Sequence, residues 1–163
     1  MGSMFKHSPF EKSISGWNVS SVRDMSEMFW NCRFNGDLSH WDVSSVSDMS
    51  SMFYRSPFRG DISDWDVSGV RDMSGMFSES LFFGDLSRWS VGCVRDMRSM
   101  FSRSCFNGDI SSWDVSNVRN FNSMFSNSDF TGDLSSWRIS PDADTTHMFF
   151  DCPRSETDKY SWY

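Results

Sequence analysis

The stretch "FNGDLSHWDVSSVSDMSSMF", residues 34–53, decides the fold because a closely similar sequence, "FNGDISSWDVSNVRNFNSMF", occurs at residues 106–125. Apolar side chains occupy the same places in both stretches, whereas many polar side chains differ. Fixed apolar positions among changing polar ones indicate that the apolar residues face a common interior.

The repeat extends over most of the chain at a step of 24 residues, without an insertion. A period this strict is typical of stacked-coil repeat proteins, since propeller blades need units of roughly 40–50 residues. No single coil can bury its own aromatic residues, so we expect each coil to pack on its neighbours. The predicted core comprises Trp17, Trp41, Trp65, Trp89, Trp113, Trp137, Phe29, Phe53, Phe77, Phe101 and Phe125.

Local patterns within one unit predict its elements. Trp41 and Val43 alternate as in a strand, and Val46 with Met49 suggests a second extended edge. The segment 50–53 predicts a single helical turn with Ser50 near its N-cap. Gly60 is expected to supply a positive φ or a close approach where the chain enters the next coil. Each coil is therefore predicted to combine short parallel strands with a short helical turn.

The array is predicted to span residues 10–150, with an N-terminal cap at 1–9 and a C-terminal cap at 151–163. The opening "MGSM" resembles an expression tag. In the C-terminal cap, Tyr160, Trp162 and Tyr163 are candidates to cover the last coil; the alternative is a longer array with frayed ends. Trp30 and Phe150 interrupt an otherwise polar column, either as cap contacts or as part of an interface.

Composition narrows the function classes. The net charge of -7 argues against nucleic-acid binding, which needs a basic stripe. No apolar run reaches membrane-spanning length, so no membrane span is predicted. The four cysteines lack a C-x-x-C spacing and the three histidines are scattered. We accordingly predict no metal site, no cofactor and no catalytic residue.

Two ladders of acidic residues follow the repeat. One is Asp24, Asp48, Asp72, Asp96, Asn120 and Asp144; the other is Asp37, Asp61, Asp85, Asp109 and Asp133. Calcium bound between coils is one hypothesis, because Ca²⁺ prefers several oxygen ligands. The favoured one is capping, in which each carboxylate accepts backbone N–H bonds at its own turn.

The pattern L-x-x-W-x-V-S-x-V-x-x-M-x-x-M-F resembles the bacterial surface protein repeat of about 26 residues, a mycoplasma-type surface lipoprotein repeat. This repeat is placed in the BspA-like branch of the leucine-rich-repeat superfamily, and the resemblance covers residues 10–149. It implies a right-handed, leucine-rich-repeat-like α/β solenoid of six 24-residue coils. It also implies an extracellular or cell-surface location and carries no catalytic residues.

By this analogy the Trp-x-Val segment is the strand of a concave face, and the residues flanking each Trp point outward. Repeat solenoids bind partners along such surfaces. The predicted partner-binding residues are His40, Asp42, Asp64, Asp66, Arg88, Asp114 and Arg138. A solvated face without a ligand is the competing interpretation.

The expected function is a non-enzymatic binding or adhesion module for a protein or a glycan. The main alternative is a structural spacer or a module that self-associates through its coil ends. Ice or crystal-surface binding is a weaker alternative, because no flat Thr-x-Thr array is visible.

Overall fold

The computed structural model describes residues 1–153 and stacks successive 24-residue units as coils joined by backbone hydrogen bonds. The Phe29 N–H donates to the Met52 carbonyl, and the Phe53 N–H donates to the Met76 carbonyl, both at 2.9 Å. Equivalent bonds recur along the array. The predicted stacking of like residues, one coil over the next, is therefore present.

The predicted α/β architecture is wrong. Residues 1–153 contain no helix and no extended strand, so the helical turns and parallel strands expected in each coil do not form there. Within residues 1–153, the β-type pairing between adjacent coils consists of isolated parallel bridges along the first acidic ladder. These join Asp24 to Asp48, Asp48 to Asp72, Asp72 to Asp96, Asp96 to Asn120, and Asn120 to Asp144.

The segment predicted as a helical turn is a chain of overlapping turns, here called the turn ribbon (residues 49–56 and their equivalents). The N–H groups of Ser51 and Phe53 donate to the next coil, whereas those of Met52 and Tyr54 donate three residues back. Alternate donors are thus used between coils and within the coil. An α-helix needs every N–H for its own i→i−4 ladder, so the stacking bonds exclude it.

Two residues of each turn ribbon have a left-handed backbone. Ser51 and Arg55 have φ values of 53° and 52°, and the equivalent positions repeat this conformation from Ser3 and His7 to His147 and Asp151. Gly75, with φ 62°, is the one glycine among them in the described residues. A left-handed conformation costs a non-glycine residue roughly 1–2 kcal/mol. The inter-coil hydrogen bonds offset that cost.

The predicted strand is also replaced by turns. The Trp41 N–H donates to the Leu38 carbonyl at 3.1 Å, and the Val46 N–H donates to the Val43 carbonyl at 2.9 Å. The Trp65 indole Nε1 donates to the same Leu38 carbonyl, one coil earlier, at 3.0 Å. Each buried indole N–H from Trp41 to Trp137 is satisfied in this way.

The core is built from stacked aromatic columns. The five predicted phenylalanines are fully buried, and successive rings from Phe5 to Phe125 stack with centroids 5.6–5.8 Å apart. The tryptophans from Trp41 to Trp137 are at most 4% exposed, but Trp17 is 40% exposed. Residues 1–8, which lie within the cap predicted at 1–9, make the same hydrogen bonds as the other turn ribbons. The proposed covering residues Tyr160, Trp162 and Tyr163 lie outside the described residues.

The glycine column at the entry to each coil provides a close approach rather than a positive φ. A Cβ added to Gly84 would lie 2.7 Å from Cζ of Phe82, whose ring is fully buried. We expect Gly84→Ala to lower the free energy of unfolding by about 1–3 kcal/mol, because the ring has no room to move. Urea unfolding would measure this. Gly16→Ala is the control, since nothing lies within 4 Å of its added Cβ; equal costs would contradict the explanation.

Candidate functional site

The predicted partner-binding residues lie on one exposed edge of the coils. His40, Asp64 and Arg88 occupy one column, whereas Asp42, Asp66, Asp114 and Arg138 occupy another, and all are exposed. We call the group His40, Asp42, Asp64 and Asp66 the acidic edge. Arg88 Nη1 lies 2.8 Å from Asp64 Oδ1, so part of the acidic charge is already paired.

The acidic ladders cap backbone turns, as predicted. In the second ladder, the N–H groups of Ser39, Ser63, Ser87, Ser111 and Ser135 donate to the aspartate two residues earlier at 2.8–2.9 Å. The first ladder accepts the same kind of bond at each coil. The donors are the N–H groups of Ser26, Ser50, Ser74, Arg98, Asn122 and Thr146. Asp42 and Asp66 of the acidic edge also accept from Ser44 and Ser68 at 3.1 and 3.0 Å. The capping hypothesis explains these carboxylates without a metal.

The described residues contain no cluster of ligands of the kind that the calcium hypothesis requires. Within residues 1–153, no group of three or more His, Cys, Asp or Glu side chains is arranged to hold a metal ion.

The same residues contain no helix long and apolar enough to cross a membrane.

These hydrogen bonds favour the ionised carboxylates. The Ser44 hydroxyl and backbone N–H lower the pKa of Asp42, and those of Ser68 lower the pKa of Asp66. The backbone N–H and hydroxyl of the following serine likewise lower the pKa of Asp37, Asp61, Asp85 and Asp109. A folded-state pKa below the unfolded value of 3.8 adds stability above that pH.

We therefore expect the free energy of unfolding to fall as the pH drops below about 4, through the folded-state pKa values. Urea unfolding at pH 7 and pH 3 measures the change. Asn120 of the first ladder accepts the Asn122 N–H at 2.9 Å, so an asparagine side chain can accept a turn bond of this type. Replacing Asp37, Asp61, Asp85 and Asp109 with Asn should preserve the fold and reduce the pH dependence. An unchanged pH dependence in this variant would contradict the assignment.

A second surface lies on the turn ribbon face. A depression of about 370 Å³ is lined by residues that include Trp30, Tyr54, Ser74, Ser78, Arg98 and Ser99, and we call it the ribbon groove. It begins where one outward column changes from the rings of Trp30 and Tyr54 to the small side chain of Ser78. The column continues with Ser102 and Ser126 and returns to an aromatic side chain at Phe150, which is 55% exposed.

An aromatic wall bounds the ribbon groove at one end. The Trp30 and Tyr54 rings have centroids 4.3 Å apart, and the Lys6 ammonium lies 4.2 Å from the Trp30 centroid. The Tyr54 hydroxyl donates to Glu79 Oε1 at 2.8 Å, and Arg55 Nε donates to Glu79 Oε2 at 2.7 Å. These bonds hold the tyrosine ring in one orientation.

The same contacts change the pKa values of two side chains at the aromatic wall, Glu79 and Tyr54. The Arg55 hydrogen bond lowers the pKa of Glu79 despite its partial burial. Burial, followed by the hydrogen bond to Glu79, raises the pKa of Tyr54. At neutral pH the wall therefore has an anionic Glu79 that accepts from a protonated Tyr54.

Hydroxyl groups form a floor that begins in the ribbon groove at Ser78 and continues beyond it, along the same column, at Ser102. Ser78 and Ser102 donate their hydroxyl protons to the carbonyls of Ser102 and Ser126, one coil further, at 3.2 and 3.1 Å. Their hydroxyl oxygens keep lone pairs that can accept a hydrogen bond from a ligand. The floor thus repeats one polar group at the coil spacing.

Ser74 differs from the equivalent serines. It is 7% exposed, and its hydroxyl has no hydrogen-bond partner among residues 1–153. The hydroxyls of Ser26 and Ser50 instead donate to Asp24 and Asp48 at 2.6 and 2.7 Å. Ser74 therefore offers a buried polar group to the ribbon groove that it lines.

Sequence reasoning detected only part of this surface. The repeat pattern shows the interruption at Trp30 and Phe150, but it does not mark Tyr54 or Ser74 as functional. Reading the whole column as Lys6, Trp30, Tyr54, Ser78, Ser102, Ser126 and Phe150 would have shown a step from aromatic to small side chains.

Comparison with known proteins identifies the repeat. The sequence model of a family described as "Mycoplasma protein of unknown function, DUF285" matches residues 1–84 and 56–162. The chain therefore belongs to this family. The mycoplasma-type part of the predicted resemblance is confirmed, whereas the match does not support the BspA-like, leucine-rich-repeat branch. No curated protein and no solved structure matches the chain.

Proposed function

We propose that this member of the DUF285 family is a non-enzymatic adhesion module, secreted or on a cell surface, whose ribbon groove binds a glycan chain. The observation that carries the proposal is an aromatic ring held rigidly beside a hydroxyl-lined floor. Ligand sites commonly combine an apolar platform with a few oriented polar groups. A pyranose presents both an apolar C–H face and a rim of hydroxyls.

The aromatic wall suits the apolar face of a sugar. Tyr54 is tied to Glu79, and Glu79 is tied to Arg55, so the ring loses little freedom when a ligand packs on it. Such pre-organisation increases affinity by lowering the entropy cost of binding. The Trp30 ring also packs against the Tyr54 ring, with centroids 4.3 Å apart.

The floor suits a chain of repeated units. Serine hydroxyls recur in successive coils, which are about 4.8 Å apart where their backbones pair. A polymer of similar sugar units would meet a similar hydrogen-bonding group at each step. Further along the same column, a separate depression of about 240 Å³ is lined by residues that include Ser126 and Phe150.

The acidic edge is the less favoured binding surface. Its Asp42 and Asp66 carboxylates already accept local hydrogen bonds, and Asp64 is paired with Arg88. These groups would have to give up or share existing contacts with a partner. Binding at the acidic edge stays a prediction that the same experiment tests.

The test measures binding of oligosaccharides of several linkages by calorimetry. Tyr54→Ser copies the serine found in the next coils and should weaken glycan binding about tenfold, the upper range of one aromatic contact. A variant with Asn at Asp42, Asp64 and Asp66 should bind as the parent protein does. Loss of binding in that variant alone would place the site on the acidic edge instead. Absence of binding to every glycan would overturn the proposal, and concentration-dependent self-association would then favour the spacer alternative.

A further inference from the structure

We propose that the ribbon groove selects sugars that carry a carboxylate, with Tyr54 against the sugar ring and with Ser74 and Arg98 on the carboxylate. This inference rests on the proposed glycan-binding function and adds the chemical class of the sugar. Three features of the groove support it. The Ser74 hydroxyl has no hydrogen-bond partner in residues 1–153, the Arg98 guanidinium makes only one long ion pair there, and both residues line the same depression.

The Ser74 hydroxyl points to a hydrogen-bond acceptor in the ligand. A buried hydroxyl without a partner is rare, because it has lost water and gained nothing in exchange. Ser74 is 7% exposed and lines the groove. Its backbone N–H already donates to Asp72 at 2.8 Å, so the turn does not need the hydroxyl.

Arg98 supplies positive charge at the same place. The equivalent positions carry Gly2, Ser26, Ser50, Ser74, Asn122 and Thr146, so its charge is not required by the repeat. The side chain is 59% exposed, and its Nε lies 3.6 Å from Asp96 Oδ2. That distance exceeds the 2.7–2.9 Å typical of charge-assisted hydrogen bonds. The guanidinium donors therefore remain open to a ligand.

A carboxylate satisfies both groups better than a neutral hydroxyl. An ionised carboxylate is acceptor-only, takes several hydrogen bonds and matches the planar donors of arginine. The chain's net charge of -7 repels anions at long range. Because exposed charges are screened beyond about 8 Å at physiological ionic strength, the charges beside the groove matter most once a sugar has bound. Among these, Glu79 is already paired with Arg55 at 2.7 Å, whereas Arg98 lies 3.6 Å from Asp96.

The test compares short oligogalacturonates with their methyl esters, which keep the sugar rings and remove the charge. The parent protein should bind the acid form at least tenfold more tightly. Arg98→Ser, which restores the serine of the repeat, should abolish that preference. Ser74→Ala should weaken binding of the acid form without lowering the urea midpoint, since its hydroxyl has no partner in residues 1–153.

Arg95→Ser is the matched control, because it removes the same charge at another exposed position. Serine already occupies the equivalent position two repeats earlier, at Ser47. It should keep the preference for the acid form. Equal binding of the two forms by the parent protein, or a preference that survives Arg98→Ser, would overturn this inference while leaving glycan binding intact. Binding of other glycans but of neither form would overturn it as well. Only the absence of all glycan binding would also remove the proposed function.

Discussion

Replacing Trp65 with Ala is expected to lower the free energy of unfolding by about 3–5 kcal/mol. The indole is 4% exposed, packs with its centroid 6.4 Å from the Phe53 ring, and donates to the Leu38 carbonyl of the preceding coil. Truncation removes this packing and leaves a cavity between coils. The neighbouring coils cannot close it, because both are held at a fixed spacing by backbone bonds.

Trp17→Ala is the matched control, since the same side chain there is 40% exposed. Trp17→Ala should lower the free energy of unfolding by less than half as much as Trp65→Ala, because the Trp17 side chain buries less apolar area when the protein folds. Trp65→Phe keeps most of the packing but loses the indole hydrogen bond, so its cost should fall between the two. Urea unfolding of the three variants measures these differences. Equal costs at Trp17 and Trp65 would show that burial between coils is not the main source of stability.

Replacing Ser99 with Pro is expected to cost at least about 3 kcal/mol. Ser99 has φ 53°, whereas the proline ring fixes φ near −65°. Its N–H also donates to the Asn122 carbonyl at 2.8 Å, and proline has no N–H. The substitution therefore breaks both the turn and a bond between coils. The free energy of unfolding from urea titration is the measurement.

Two controls separate the backbone effect from the change of side chain. Ser99→Gly should lie within about 0.5 kcal/mol of the parent protein, since relief of left-handed strain roughly balances the greater freedom of unfolded glycine. Cys105→Pro should be tolerated, because equivalent positions already hold Pro9 and Pro57. A mild effect of Ser99→Pro would mean that the turn ribbon does not depend on its left-handed residues.

The two proposed binding surfaces could be predicted only in part from the sequence. The exposed columns around each Trp could be assigned from the repeat, and Asp42 and Asp66 are exposed as expected. Their local hydrogen bonds are of the same kind as the backbone caps predicted for the acidic ladders. The ribbon groove was different, since Tyr54, Ser74 and Arg98 come from three coils and meet only after stacking.

The sequence by itself determined the 24-residue period, the burial of the phenylalanines and of Trp41 to Trp137, and the capping role of the acidic ladders. These follow from spacing and side-chain chemistry, which a repeat displays directly. Only the tertiary structure decided that segments such as 50–53 form a turn ribbon instead of a helix. The reason is that half of the ribbon's N–H groups bond to carbonyls about one coil away, and left-handed residues such as Ser51 and Arg55 carry no local signal of that geometry.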